Sequence, residues 1–192
     1  MKPILLVMAG PNGSGKSTIS ARFTPIGDYV NADVIEKELG ISTRDAAILA
    51  EETREELLRQ GKDFTFETVL STPRNLDLMR RARAQDYTVL CVYVLTKDVS
   101  INLARVRQRV EKGGHGVPEE KIKERYARAM KLIPSLIKVC DELYIYDNSA
   151  DRSCGVPQRI VSCRNGKPTL FPSKQWSRAM LKKLVSGTYM SP

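Results

Sequence analysis

Gly10-Pro11-Asn12-Gly13-Ser14-Gly15-Lys16-Ser17 fills every fixed position of the phosphate-loop pattern Gly-x-x-x-x-Gly-Lys-Ser/Thr. The flanks are the ones the pattern needs. Apolar residues 4–9, Ile-Leu-Leu-Val-Met-Ala, read as a buried strand running into the loop, and residues 16–23 read as a helix leaving it. Glycines at such a junction let successive backbone N–H groups turn toward one centre, and the helix start adds the positive end of its dipole. Lys16 then neutralises β- and γ-phosphate oxygens, and the Ser17 hydroxyl suits Mg²⁺. Gly10, Pro11, Asn12, Gly13, Ser14, Gly15, Lys16, Ser17 and Thr18 are therefore expected to bind ATP, with Ser17 as the metal-ligating side chain. A chance Gly-rich turn would explain the loop's composition but not its position between a strand and a helix.

Outward from the loop, strand and helix patterns alternate without an internal repeat. Residues 29–32 form a second short strand, expected to lie beside the first. Ser42, with Asp45 three positions on, resembles a capping box for one long helix that ends at Gln60, before Gly61. Residues 64–70 are a third strand, and Thr72 and Pro73 open a helix that runs to Ala84. Residues 87–95 are a fourth, β-branched strand. Two basic helices follow, 100–110 and 118–139, joined by Gly113-Gly114-His115-Gly116, with Pro134 bending or ending the second. A fifth strand covers 143–146. Helix-linked parallel strands cross over right-handed, with helices on both faces. The expected fold class is therefore α/β, a three-layer P-loop NTPase or kinase fold around a parallel five-stranded sheet. Beyond Asp151, residues 159–163, Asn165-Gly166 and 167–171 read as a hairpin with a type I′ turn, followed by a helix over 176–185. The reading is a single domain, 1–192, with a core over 3–149, a lid region near 100–130 and a C-terminal hairpin and helix within 151–186.

Composition agrees with one globular unit: 42% of the 192 residues are hydrophobic. Only a short apolar run stands near the N-terminus, too brief for a signal sequence or membrane span, so a cytoplasmic protein without a membrane partner is expected. Cys91, Cys140, Cys154 and Cys163 form no Cys-x-x-Cys pair, and His115 is the single histidine, so neither a zinc site nor a disulfide framework is suggested. A net charge of +9 calls for an anionic partner or a basic surface. At 6% aromatic content, with Phe66, Tyr93 and Tyr146 inside apparent strands, base-stacking platforms are scarce, and arginines around phosphates explain the charge as well.

Three clusters carry the chemistry beyond the loop. Asn31-Ala32-Asp33 ends the second strand, at the sheet edge where such folds bind ligands. From there Asp33 can accept the proton of an attacking hydroxyl; alternatively it caps a helix that begins at Val34. Glu67, followed by Thr68, interrupts an apolar strand at the same edge and is either a second site carboxylate or a solvent-facing strand end. The arginines from Arg105 to Arg128, interrupted by the His115 loop, have the make-up of a lid that closes on phosphate charge, although most would form a solvated face. Arg109 is the first choice for phosphate contact, followed by Arg105 and Arg125.

Together, residues 10–18, Asn31-Ala32-Asp33-x-Ile35, Phe66-Glu67-Thr68-Val69-Leu70-Ser71, and Arg109 through Gly113-Gly114-His115-Gly116-Val117-Pro118 to Arg125-Tyr126 resemble the zeta-toxin family of P-loop kinases over about residues 3–149. The resemblance implies phosphorylation of a sugar hydroxyl, that of a UDP-N-acetylamino sugar in the toxins. It also implies Asp33 as base, Glu67 holding substrate, and an antitoxin-like protein partner. Two differences stand out. Thr68 follows Glu67 directly, where toxin members tend to have an intervening glycine, and the second lid arginine of the family falls near His115, with Arg125 available in its place.

The expected activity is thus an ATP-dependent kinase with catalytic residues Asp33, Lys16 and Arg109 and an acceptor site drawn from Glu67, Thr68, Arg105, His115 and Arg125. The small-molecule acceptor is expected to be a sugar or nucleotide sugar. Two alternatives remain: a polynucleotide 5′-hydroxyl kinase, suited to the positive charge, and a regulatory module with a structural nucleotide.

Overall fold

A computed structural model describes residues 1–150 and 156–189; residues 151–155, with Cys154 and the expected start of the C-terminal unit, lie outside the described residues. Among the described residues seven strands form one sheet: β1 (Ile4–Ala9), β2 (Asp28–Val30), β3 (Phe64–Thr68), β4 (Thr88–Leu95), β5 (Glu142–Asp147), β6 (Gln158–Arg164) and β7 (Lys167–Leu170). The helices are α1 (Lys16–Ser20), α2 (Ala32–Leu39), α3 (Thr43–Arg59), α4 (Arg74–Ala84), α5 (Val99–Glu111), α6 (Glu119–Lys131), α7 (Ile133–Val139) and α8 (Arg178–Ser186). The first five strands are parallel, and the hairpin β6–β7 continues the sheet antiparallel beyond β5. Its turn residues, Asn165 and Gly166, have φ of 49° and 75°, the left-handed pair that a type I′ turn requires.

Strand order is β2-β3-β1-β4-β5-β6-β7, which corrects one expectation: β2 pairs with β3, and β1 lies between β3 and β4. Burial explains the exchange. Phe64, Thr65 and Phe66 are all buried, as a strand flanked on both sides demands, whereas Asp28 and Tyr29 are exposed and suit a short edge strand. Asp33 therefore stands two strands away from the loop, with Glu67 on the strand between.

Local signals set most boundaries. Ser42 accepts from the Asp45 N–H and caps α3 as its spacing predicts. At the other end Gly61 is left-handed, φ 65°. Pro134 falls in the first turn of α7, so the long helix expected over 118–139 is two helices, broken after Lys131. α2 begins at Ala32, two positions before the helix start that the sequence suggests at Val34. Its cap is Asn31, whose side chain accepts from the Asp33 N–H at 2.9 Å. Asp33 lies inside the first turn and is not the cap.

The two sheet faces are covered unequally. Alternate residues Leu5, Val7, Phe64, Phe66, Cys91 and Tyr93 pack with α3, α4, α6, α7, α8 and the fully buried Trp176 in the main core. On the opposite face Leu6, Met8, Val92 and Val94 pack with Ile19 of α1 in a small cluster. That third layer is thin, because α1 has five residues. Cys91, Cys140 and Cys163 are buried free thiols. Among the described residues no helix is long and apolar enough to cross a membrane.

Candidate active site

The loop leaves β1 at Gly10, whose N–H donates to the Thr68 carbonyl at 3.1 Å and so ties the loop to β3. Its curl needs glycine at Gly10, where a Cβ would meet the Val94 carbonyl oxygen at 2.1 Å, and at two points further on. Gly13 has φ 75°, and a Cβ there would meet the Asn102 carbonyl oxygen at 2.5 Å; Gly15 has φ 88°, and a Cβ there would meet the Asn148 amide nitrogen at 2.2 Å. Pro11 O accepts from the Ser14 N–H, and Gly15 O accepts from the Thr18 N–H. The Ser14 hydroxyl is buried without a protein partner.

Two buried asparagines hold this loop from outside. Asn102 on α5 donates to Asn12 O at 2.6 Å, and its carbonyl oxygen accepts from the Thr96 hydroxyl. Asn148, just past β5, donates to Ser14 O at 2.8 Å. Neither was foreseen, although Asn102 stands four positions before Val106 on the buried stripe of its helix, where a polar residue signals a partner. Asn102→Ala or Asn148→Ala strands a buried carbonyl and is expected to cost about 1–3 kcal/mol of stability and to weaken ATP binding, as read by urea unfolding and nucleotide titration.

Lys16 extends from the end of the loop and donates to Gly10 O at 2.8 Å. Burial pushes its ammonium below the ordinary lysine value, while Glu67 and then Asp33 hold it up and Arg109 lowers it further. Both carboxylates thus act on the lysine that would meet the γ-phosphate. The sign fixes a pH effect. Charge on Lys16 is full well below its depressed pKa and is lost as pH rises through it, before an ordinary lysine at 10.5 would titrate. ATP affinity is therefore expected to fall on the alkaline side at a pH below 10.5, as checked by titrating a fluorescent ATP analogue.

A cavity of about 600 Å³ collects Lys16, Ser17, Asp33, Glu67, Arg105 and Arg109 around the loop. Asp33 is exposed into it from α2, and Glu67 enters from the tip of β3. Tyr29, which sequence reasoning did not single out, stands between them: its hydroxyl donates to Glu67 Oε1 at 2.7 Å and accepts from Asn31 Nδ2 at 3.0 Å. Pairing of Tyr29 with Thr65 puts it on the same face as Glu67, which could be inferred only once β2 was placed beside β3. Burial first, together with the Glu67 carboxylate, pushes the phenol up to about 12, while the Asn31 amide opposes the rise, so the phenol keeps its proton near neutrality.

The residues expected to form a lid fall on α5, on α6 and on the loop between them. α5 contributes Arg105 and Arg109 to the cavity wall, and Lys112 joins them from the C-cap position that follows it. Arg105 also donates to Ala150 O at 3.0 Å. Gly114 packs on the Arg109 stem and donates to Arg109 O at 2.9 Å, closing the helix end. Arg125 on α6 donates to Asn12 Oδ1 at 3.4 Å and reaches the outer wall of the loop. His115 is exposed, with Nε2 3.5 Å from Glu36 of α2, outside the residues that line the cavity. Thr68 also lies outside the lining, its hydroxyl accepting from the Leu70 N–H and the Asn75 amide.

Mg²⁺ fits the donor set in one way. Among the described residues no group of three or more His, Cys, Asp or Glu could cage a metal. An exposed Ser17 hydroxyl next to the phosphate cradle, with carboxylates across the cavity, is the donor pattern for an ion held largely by phosphate oxygens and water.

A family model described as an AAA domain matches residues 5–132. An uncharacterized protein of Haemophilus influenzae is 29% identical over 123 residues, 61% of this chain and 88% of that protein. Among solved structures, AvrRxo1-ORF1:-ORF2 with ATP superposes on 100% of this chain with a TM-score of 0.72 at 16% identity. This chain spans 66% of that one, just under two thirds of its length. The PezAT chromosomal toxin–antitoxin system of Streptococcus pneumoniae gives a TM-score of 0.52 at 16% identity, over 81% of this chain and 72% of that one. At such identities the likeness is one of fold.

Proposed function

The chain belongs to the AAA domain family, and from that premise we propose that it is an ATP-dependent small-molecule kinase of zeta-toxin type that phosphorylates a hydroxyl of a sugar-like acceptor. One observation carries this reading: Asp33 and Glu67 line the cavity of Lys16 and both act on its charge. A phosphate loop alone would serve a switch or a motor equally well. A free carboxylate opposite the loop lysine is what transfer to an alcohol adds.

In the proposed reaction the acceptor hydroxyl lies between Asp33 and the γ-phosphoryl group. Asp33 takes its proton, the acceptor oxygen forms a bond to phosphorus, and the bond to the bridging oxygen breaks to release ADP. Lys16 and Arg109 offset charge on the phosphoryl oxygens, and Glu67, fixed by Tyr29, holds a neighbouring acceptor hydroxyl. Ser17 would hold Mg²⁺, which would supply positive charge against the triphosphate. Arg105 and Arg125 serve the nucleotide side of the lid, and His115 and Thr68, which lie outside the residues that line the cavity, are given no direct role. A protein partner belongs to this reading as well, because the ORF1:ORF2 and PezAT assemblies share the fold.

Incubation with Mg²⁺-ATP and UDP-N-acetylamino sugars, other sugars and simple alcohols tests the proposal. ADP release that depends on the acceptor supports it, and ADP release indifferent to every acceptor contradicts it. A 5′-hydroxyl oligonucleotide belongs in the panel, because the +9 charge and the basic residues Arg105, Arg109 and Lys112 at the cavity favour an anionic acceptor as a second reading. Binding that falls steeply with salt would favour that second reading.

A further inference from the structure

The thin layer over the second sheet face leaves a recess beside α1. Its volume is about 330 Å³, and Leu6, Met8, Phe23 and Pro25 supply apolar walls. Ser17, Ser20 and Tyr29 border both this recess and the phosphate cavity, so the two spaces adjoin at the metal-ligating serine. Such a volume stands at the small end of ligand pockets and suits one ring or a short chain.

Of the polar groups around the recess, Ser17 and Ser20 stand at the border with the phosphate cavity, and Thr65 and Tyr29 are already engaged. The Thr65 hydroxyl donates to Ile26 O and accepts from the Ile26 N–H, each at 2.8 Å. The Tyr29 hydroxyl is held by Glu67 and Asn31, which leaves its ring as the boundary between the spaces. Past the Ser17 and Ser20 hydroxyls at the border, a polyol would lose water to walls of Leu6, Met8, Phe23 and Pro25, whereas a planar or aliphatic group gains burial there.

We propose that this recess holds the non-reacting part of the acceptor, and that the acceptor is an alcohol carrying a compact apolar or planar group, not a bare polyol. The proposal rests on the phosphotransfer reading for the identity of its occupant. It adds a specificity determinant: Ser20, Ala21 and Phe23 around the mouth select the acceptor, while the loop and Asp33 act on the transferred group.

The test follows the Met8 methyl resonance in protein labelled with ¹³C-methyl methionine, using 2-phenylethanol as the apolar probe and glycerol as the polar one. A saturable shift of Met8 with 2-phenylethanol and none with glycerol is expected. Ala21→Trp, at an exposed position on the rim, should weaken the 2-phenylethanol response about 10-fold or more while ATP affinity stays within about 2-fold of wild type. Equal shifts with both probes, no saturable shift, or displacement of 2-phenylethanol by ATP would overturn the assignment, the last by giving the recess to the nucleotide base. Because the response needs no turnover, its failure is distinct from failure of the phosphotransfer reading, which the acceptor panel reports separately.

Discussion

Asp33→Asn is expected to slow phosphoryl transfer by about 10²–10⁴-fold with ATP affinity retained. Several features of the site separate this effect from damage to the fold. Asp33 is exposed and lies in the first turn of α2, and the helix is capped by Asn31, so the carboxylate is not required for the cap. Its interaction with the helix dipole is worth about 0.3–1 kcal/mol at most, small beside the roughly 3–5 kcal/mol that corresponds to the expected loss in rate. Asparagine keeps the shape and removes the negative charge together with the capacity to take a proton. A second readout comes from electrostatics: Asp33 helps hold the Lys16 proton, so its neutralisation moves the alkaline loss of ATP binding to still lower pH. Stopped-flow or discontinuous assay of ADP formation with saturating acceptor checks the rate, and nucleotide titration across pH checks the shift.

Lys16→Ala is expected to have the largest effect on binding. The alanine variant loses the ammonium proposed to meet the phosphates and the bond that ties Lys16 to Gly10 O. Truncation of such a half-buried charged partner, which bound ATP would cover, costs about 2–5 kcal/mol, or roughly 30- to 5,000-fold in ATP affinity, with transfer falling below detection. Stability should move the other way. Lys16 has a folded pKa below its unfolded one, so at neutral pH the charged lysine opposes folding, and its removal relieves that opposition. The unliganded variant is therefore expected to melt at the wild-type temperature or above, and ATP, which raises the melting temperature of the wild type, should no longer do so. A thermal melt with and without Mg²⁺-ATP reads both effects. A variant that melts well below wild type without nucleotide would assign Lys16 a structural role.

Features written in short spacings were legible before any coordinates. The loop, the Ser42 cap, the Asn165-Gly166 turn and the alternating strands each depend on neighbours a few residues apart, and each is found where the sequence places it. Features that depend on which strands become neighbours were harder to read. The exchange of β2 and β3 followed from the full burial of Phe64 and Phe66, a property of the finished sheet. Tyr29 escaped notice for the same reason, because its role comes from standing across from Thr65 and next to Glu67. Asn102 and Asn148 hold the loop from 90 and 134 residues away, a separation at which no local pattern operates. Asp33 and Glu67 could be named from strand ends, but Arg125, His115 and Thr68 could be sorted only by where α6, the lid loop and the turn after β3 come to rest.

Mass spectrometry of a metabolite extract incubated with Mg²⁺-ATP and either wild type or Asp33→Asn tests the phosphotransfer reading most directly. The expected result is an alcohol-bearing compound that gains one phosphoryl group with wild type, in step with ADP formation, and that gains it about 10²–10⁴-fold more slowly with the variant. ATP bound by both proteins with no compound phosphorylated by either, or the same product formed at the same rate by both, would contradict it.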